Sequence, residues 1–378
     1  MDTFGLYYHI PFCRGKCPYC DFYSVTDKAL YEPYLAALLD ETRTLRRTGA
    51  FLPADFTERV CDTVYCGGGT PSEFGGERLA AVLNAARERF TLAPDAEITV
   101  ECNPSTEDLP RFFAHCAAAG VNRVSMGLQS AVDAERKKLG RRAAPAQVTA
   151  ALQAARAAGI RNLSLDLMLG IPLQTEESLR ESLDFLLASG VQHASVYLLS
   201  LEEGTYYAKH AASLALPGED SVCDMYLQTC EYLARHGLRQ YEISNFAAPG
   251  FESRHNTRYW RLSDYLGLGA AAHSCVSGQR FRFAPSIAAF CDGGAALADG
   301  AGGGEDEYVM LAMRLTEGLT EEGWQARYAA PLPAALRRAA APYAARGLLT
   351  VDTAGIRCTP QGFLVSNTIL ADLLSHLS

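Results

Sequence analysis

The sequence predicts an α/β protein: a partial (β/α)6 TIM-like barrel followed by a smaller C-terminal α+β, winged-helix-like domain. Three observations carry this. Up to about Ser200, short β-branched runs alternate with segments of helical period, as a parallel sheet with helices outside requires. Glycines close several of those helices, supplying the left-handed conformation a helix exit favours. A stretch with six glycines, Gly293 to Gly304, then separates this region from a helix-rich end.

In order, Leu6 to Ile10 reads as the first strand and Leu30 to Leu45 as the first helix. Thr63 to Cys66 is a strand and Glu77 to Phe90 a helix. Glu97 to Glu101 leads to a helix over Arg111 to Ala119, closed by Gly120. Val121 to Met126 leads to Ala146 to Ala158, closed by Gly159. Leu163 to Leu169 leads to Glu176 to Ala188, and Ala194 to Leu199 is the sixth strand. Six units fit a bent, incomplete barrel better than a closed eight-unit one, with a doubly wound sheet as the alternative. Leu201 to Ala289 is less regular and rich in Tyr, His and Asn.

After the glycine stretch, Asp306 to Thr316, Glu321 to Ala329 and Leu332 to Arg346 read as helices. Leu348 to Val351 and Ile356 to Thr359 form a hairpin, and Gln361 to Leu374 a last helix. The expected organisation is a core over 1–235, a barrel extension over 236–292, a flexible linker over 293–304 and a helical, winged domain over 305–378.

The 378 residues carry a net charge of −9, and 48% are hydrophobic. An acidic chain of this kind argues against nucleic acid as a partner. No run approaches the ~18 uncharged apolar residues of a membrane span. Met1 to Tyr8 lacks the basic start and apolar run of a secretion signal, so the expected location is the cytoplasm. Thiols stay reduced there, and a tight cysteine cluster then points to metal rather than to disulfides.

That cluster is Cys13, Cys17 and Cys20, three thiols in eight residues just after the first strand. A zinc site wants four ligands, and a fully coordinated four-iron cluster wants four cysteines. The next cysteine is Cys61. Three thiolates therefore suit a four-iron, four-sulfur ([4Fe-4S]) cluster with one iron open to a ligand's amine and carboxylate. Cys61, Cys66, Cys102, Cys116, Cys223, Cys230, Cys275, Cys291 and Cys358 are scattered and read as ordinary buried thiols. Gly67-Gly68-Gly69-Thr70 closes the second strand; it lacks the Gly-Lys-Ser/Thr of a P-loop, and its amides suit an anionic group. Glu101, Gln129, Arg141 and Asp166 form a polar set near strand ends, suited to ribose hydroxyls and an amino-acid carboxylate.

The C-x3-C-x2-C loop after strand one, with further βα units behind it, resembles the radical SAM superfamily, which implies S-adenosylmethionine as a second cofactor. Tyr7-Tyr8-His9-Ile10-Pro11-Phe12-Cys13, Glu101-Cys102-Asn103-Pro104, Met126-Gly127-Leu128-Gln129-Ser130 and Asp166-Leu167-Met168-Leu169-Gly170-Ile171-Pro172 are similar to its oxygen-independent coproporphyrinogen III dehydrogenase-like branch. By that resemblance Tyr7, Tyr19, Gly68, Gly69, Thr70, Glu101, Gln129, Arg141 and Asp166 contact S-adenosylmethionine. Phe22 stands where the dehydrogenase pattern has a fourth cysteine, and only twelve residues precede Cys13, fewer than in the dehydrogenase. His255-Asn256-Thr257-Arg258-Tyr259-Trp260 matches the H-N-x-x-Y-W signature of the HemW-type heme chaperones. That resemblance covers residues 4 to about 375. It implies heme as cargo, heme-accepting respiratory proteins as partners, and room for a homodimer and for peripheral membrane association. His255 is the heme-ligand candidate, because histidine ligates heme iron and flanking Tyr and Trp pack on a porphyrin face; His273 ranks behind it. The alternative is the dehydrogenase itself, acting by a 5′-deoxyadenosyl radical, and whether the chain is an enzyme stays open here.

Overall fold

The computed structural model describes residues 3–377. Strands β1 (Thr3–Ile10), β2 (Val60–Gly68), β3 (Thr91–Cys102), β4 (Arg123–Gln129), β5 (Asn162–Leu169) and β6 (His193–Leu198) lie side by side in chain order. All are parallel, each joined to the next through helical segments packed outside. Next come β7 (Arg239–Gln240), β8 (Asn245–Ala247), β9 (Tyr265–Leu268), β10 (His273–Val276), β11 (Gln279–Arg282) and β12 (Leu297–Ala301). Antiparallel β8 and β7 extend the β6 edge, while β9 joins β1 in parallel and leads out through antiparallel β10, β11 and β12. Among the described residues this makes one sheet of twelve strands, a partial barrel open between its two flanks.

Side-chain alternation explains the sheet's two faces. Tyr8, Val64, Cys66, Val100, Val124, Met126, Leu165 and Leu167 are buried against the helix layer. Tyr8 even donates to Thr42 of the first helix, at 3.3 Å. Their neighbours Tyr7, Tyr65, Glu101, Arg123, Ser125 and Asp166 point into the barrel. Parallel strands are ordinarily apolar on both faces. A polar inner face therefore marks the barrel interior as the ligand side.

The stretch expected as a barrel extension, 236–292, carries β7 to β11, which continue the same sheet. The segment from Leu201 is also more ordered than its composition suggests, holding the long helix Glu219–Arg235. The expected flexible linker contains β12 instead, paired with β11 along Arg282–Leu297 and Phe281–Ala298. Backbone ladder bonds need no large side chains, so a glycine-rich segment can serve as an edge strand. Beyond it, β13 (Leu319–Thr320), β14 (Leu349–Asp352) and β15 (Gly355–Cys358) form a small antiparallel sheet among helices. The expected last helix is two, Pro360–Leu364 and Ser366–Leu374. This domain docks on the barrel through Ile243 N–H to the Arg314 carbonyl, 2.9 Å, and Thr316 N–H to the Tyr241 carbonyl, 3.0 Å.

Candidate functional site

The cysteine loop leaves β1 at the mouth of the barrel. Its base is clamped by Cys13 N–H to the Val25 carbonyl, 2.9 Å, and Val25 N–H to the Pro11 carbonyl, 2.8 Å. Phe12 is fully buried, its ring 4.5 Å from Tyr31 and 5.3 Å from Phe74, so an apolar anchor immediately precedes the first cysteine. The far side is held by Tyr207 N–H to the Pro18 carbonyl, 2.9 Å. Cys13, Cys17 and Cys20 are half-exposed, while Cys61, Cys66, Cys102, Cys116, Cys230, Cys275 and Cys358 are buried. Burial pushes the Cys66 and Cys61 thiols up to about 12, which keeps them protonated and inert. Cys223 and Cys291 are half-exposed as well, but lie outside the loop.

Among the described residues, no three His, Cys, Asp or Glu side chains gather tightly enough for one metal ion. A polynuclear cluster asks for something else, since each thiolate meets a different iron. The donor set fits that group: three thiols, half-exposed, on one anchored loop.

The glycine turn lies against this loop. A Cβ on Gly69 would stand 2.7 Å from the Phe12 nitrogen, and one on Gly68 would stand 2.5 Å from the His9 ring. Gly68 also has φ of +106°, which disfavours any side chain. The expected amide cradle for an anion is absent, because those amides are already used. Gly68 N–H goes to Glu101 Oε2 (3.2 Å), Gly69 N–H to the Ile10 carbonyl (3.0 Å) and Thr70 N–H to the Phe12 carbonyl (2.7 Å). Contact between Gly68 or Gly69 and a ligand would therefore run through carbonyl oxygens, which suits an amino group. Thr70 contributes its hydroxyl, 3.5 Å from the Cys13 sulfur.

The polar set converges beside this turn. Tyr65 donates to Glu101 Oε1 at 2.8 Å. Burial, followed by the nearby Asp166 charge, pushes the Glu101 carboxyl up to about 7 despite that hydrogen bond. Tyr7 stacks on Tyr65 with ring centroids 6.2 Å apart. On β4, a Cβ at Gly127 would lie 2.8 Å from Gln129 Nε2 and 3.0 Å from an Arg141 terminal nitrogen, so the glycine makes room for both. Gly127 is also the sheet partner of Asp166. Asp166 accepts from Ser125 at 2.9 Å, and burial raises its carboxyl. Arg141 Nε donates to the Tyr19 hydroxyl at 3.1 Å, tying the set to the cysteine loop.

Gln129 shows most directly that the site is built for something. It is a non-glycine residue at φ +68°, 7% exposed, and its Oε1 is buried with no hydrogen-bond partner. A short helix that the sequence reading missed, Asp133–Lys138, holds this backbone. Ser130 donates to Glu135 at 2.6 Å, and Arg136 donates to the Ser130 carbonyl at 3.1 Å. A buried acceptor left empty in a strained residue is what a ligand donor would complete.

His255 lies elsewhere. It opens the helix Arg254–Trp260 beneath the barrel interior, with no exposed surface. Nδ1 is 2.9 Å from Thr63 Oγ1, Nε2 is 2.9 Å from the Tyr259 hydroxyl, and its N–H donates to Glu97 at 3.0 Å. The ring stacks on Tyr65 at 5.2 Å. Burial, then the charges of Arg258 and Arg123, hold it neutral, lowered to about 3. Both ring nitrogens are used, so this geometry gives His255 a structural job and leaves it no lone pair for heme iron. His273 is exposed and pairs with Asp299 through Nδ1 at 3.2 Å.

Tyr65, Ser125 and Arg123 also belong to the interior, and the sequence reading did not name them. The signal was present in the alternation: each faces the barrel from a strand whose neighbouring positions are apolar.

An open-sided βα barrel with a three-cysteine loop after its first strand defines a radical SAM-type protein. The Radical SAM superfamily model matches residues 7–186, and the HemN C-terminal domain model matches 306–365. The heme chaperone HemW of Mycobacterium tuberculosis is 37% identical, over 99% of this chain and 95% of that one. HemW of Bacillus subtilis is 32% identical over 98% of this chain and 99% of its own. The chain belongs to the HemW heme chaperone family. Its fold also matches a solved structure, coproporphyrinogen III oxidase (HemN) from Escherichia coli, with a TM-score of 0.80 and 23% identity, covering 100% of this chain and 91% of that one.

Proposed function

We propose that this protein binds heme and hands it to acceptor proteins, and that it carries a [4Fe-4S] cluster on Cys13, Cys17 and Cys20 with S-adenosylmethionine beside it. The observation that carries the reading is the match to named heme chaperones along nearly the whole chain, C-terminal domain included. Bound, the cluster supplies an iron that can take an amine and a carboxylate and pass an electron. The chain's own residues do the rest. Glu101 and Asp166 accept from ribose hydroxyls, the Gln129 amide oxygen accepts a ligand N–H or O–H, and Arg141 pairs with a carboxylate. Gly68 and Gly69 offer carbonyls to an amino group, Thr70 its hydroxyl, and Tyr7 and Tyr19 wall the pocket.

Heme coordination by His255 would require the helix Arg254–Trp260 to come away from Thr63 and Glu97, so the reading does not rest on that ring. Among the described residues no helix is long and apolar enough to cross a membrane. Respiratory heme proteins are the acceptor class that the family resemblance supports. Hemin titration of the reconstituted protein, followed by mixing with a heme-free acceptor, tests the function. Binding and a transfer-dependent Soret change support it; absence of both overturns it. The second reading, left open by the sequence resemblance, is coproporphyrinogen III decarboxylation. An anaerobic assay that forms protoporphyrinogen would establish that one instead.

A further inference from the structure

The chain has eight histidines, and hydrogen bonding sorts them. His9, His193 and His255 have both ring nitrogens engaged. For His9 the partners are the Tyr7 hydroxyl and the Tyr23 carbonyl, 3.1 Å each; for His193 they are Ser164 at 2.7 Å and Tyr241 at 2.8 Å. His115, His273 and His376 each lie beside a surface carboxylate. His210 and His236 remain. In both, Nδ1 lies 2.8 Å from the backbone carbonyl four residues earlier, that of Tyr206 and Tyr232 respectively. A carbonyl only accepts, so the proton is on Nδ1 and Nε2 keeps its lone pair, the arrangement common to metal-binding histidines.

Their surroundings differ. Beside His236 the tyrosine is already occupied: Tyr232 donates to Asp184, and the Arg180 guanidinium covers its ring, 3.7 Å from the centroid. The His210 ring stacks on Tyr206 with centroids 3.9 Å apart, and Tyr206 is 58% exposed. The helix Tyr206–Lys209 is anchored from beneath by buried Tyr207. Its N–H donates to the Pro18 carbonyl of the cysteine loop at 2.9 Å, and its hydroxyl to the Lys138 carbonyl at 2.7 Å. Further along, the Ala215 carbonyl takes the Leu173 N–H at 2.8 Å, tying the segment to the turn after β5. Apolar surface gathers on these same loops. Of nine exposed large hydrophobic side chains among the described residues, six end or follow β1, β5 and β6: Phe22, Leu173, Tyr197, Leu198, Leu201 and Tyr206. Exposed apolar surface gathered in one place is characteristic of a binding face. Lys138 and Lys209 are exposed beside the short helix, and Glu202 and Glu203 precede its other end.

We infer that His210 is the axial ligand of heme iron, on a seat at the barrel mouth made by the segment that follows β6. This deepens the proposed function and rests on its reading of heme binding. Heme needs three things together: a nitrogen lone pair for iron, apolar surface for the macrocycle and cations for its propionates. Nε2 of His210 supplies the first by donating its lone pair to iron, and no proton moves. A porphyrin plane stands across an axial imidazole, so Tyr206, within 22° of parallel to that ring, meets the porphyrin edge-on and holds the imidazole upright. Leu198 and Leu201 offer the apolar surface, and Lys209 the charge. Heme seated there rests, through Tyr207 and Pro18, on the loop that carries the three cysteines.

The test titrates hemin into full-length, anaerobically reconstituted wild type, His210→Ala, His236→Ala and His273→Ala. The Soret band gives affinity, and electron paramagnetic resonance of the ferric iron reports its axial ligand. His210→Ala is expected to lose the histidine-ligated spectrum and to bind about tenfold more weakly, and added imidazole is expected to restore that spectrum. His236→Ala, with the same local hydrogen bond but no open face beside it, is expected to match wild type, as is His273→Ala. All three side chains are exposed, so the variants fold as wild type does. A His210→Ala protein that keeps the wild-type spectrum and affinity overturns the inference. So does an equal loss in His236→Ala or His273→Ala, or a loss that imidazole does not reverse. A wild type that binds no hemin overturns the heme reading itself, and the seat with it.

Discussion

Replacing His255 by alanine separates a structural histidine from a heme ligand. The substitution removes the partners of the Thr63 and Tyr259 hydroxyls, each 2.9 Å away, and the ring packed between Tyr65 and Tyr259. A buried hydroxyl left unpaired costs about 1–3 kcal/mol, and the lost aromatic contacts add about 1 kcal/mol more. For the two hydroxyls and the contacts together the expected loss is about 3–7 kcal/mol, a large part of an ordinary domain's stability. Urea unfolding by circular dichroism near pH 7.5 measures it as a lowered midpoint. The gap should also depend on pH. The folded ring stays neutral to about pH 3, so its contribution is complete above the ordinary histidine range. As pH falls below about 6.5 the unfolded ring takes up a proton that the folded one cannot, and wild type loses stability that the variant does not. The two midpoints therefore converge in acid, by at most about 1.4 kcal/mol per pH unit. A variant as stable as wild type that has lost only its Soret shift would refute this reasoning and make His255 the iron ligand.

Cysteine variants divide in the same way. Cys13→Ala, Cys17→Ala and Cys20→Ala should each lose most of the iron and the broad visible absorption after reconstitution, whereas Cys223→Ser should keep both. Iron quantitation decides it, and full loading of Cys17→Ala would sink the cluster assignment. Gly68→Ala should destabilise by about 2 kcal/mol or more, because it combines a positive φ with a clash on His9; thermal melting reads this out. Binding of S-adenosylmethionine should strengthen as pH rises through about 7, where the Glu101 carboxyl ionises, and Glu101→Gln should flatten that profile. Calorimetry at several pH values checks it, and an unaltered slope would remove Glu101 from the site.

The cysteine loop was legible because its information is local: three thiols within eight residues stay together on one loop wherever that loop sits. The six βα units were legible for a similar reason, since β-branched runs, helical period and glycine exits are all short-range. The sheet places β1 to β6 in chain order, as short connections between successive parallel strands favour. Glu101, Gln129, Arg141 and Asp166 were recognisable as a set by their places after successive strands.

Burial and hydrogen bonding between distant segments were not. His255 reads as an available imidazole in its hexapeptide, and becomes a neutral, doubly bonded ring through Thr63, 192 residues away in sequence. The glycine turn reads as an anion cradle, yet its amides are spent on Glu101, Ile10 and Phe12, which strand pairing brings alongside. The 293–304 stretch reads as a linker until β11 supplies the backbone partners that make β12 a strand. Sequence by itself thus determined the donor types, their spacing and the family of the chain. Packing decided which donors remain free, because a group's availability depends on what the rest of the chain presses against it.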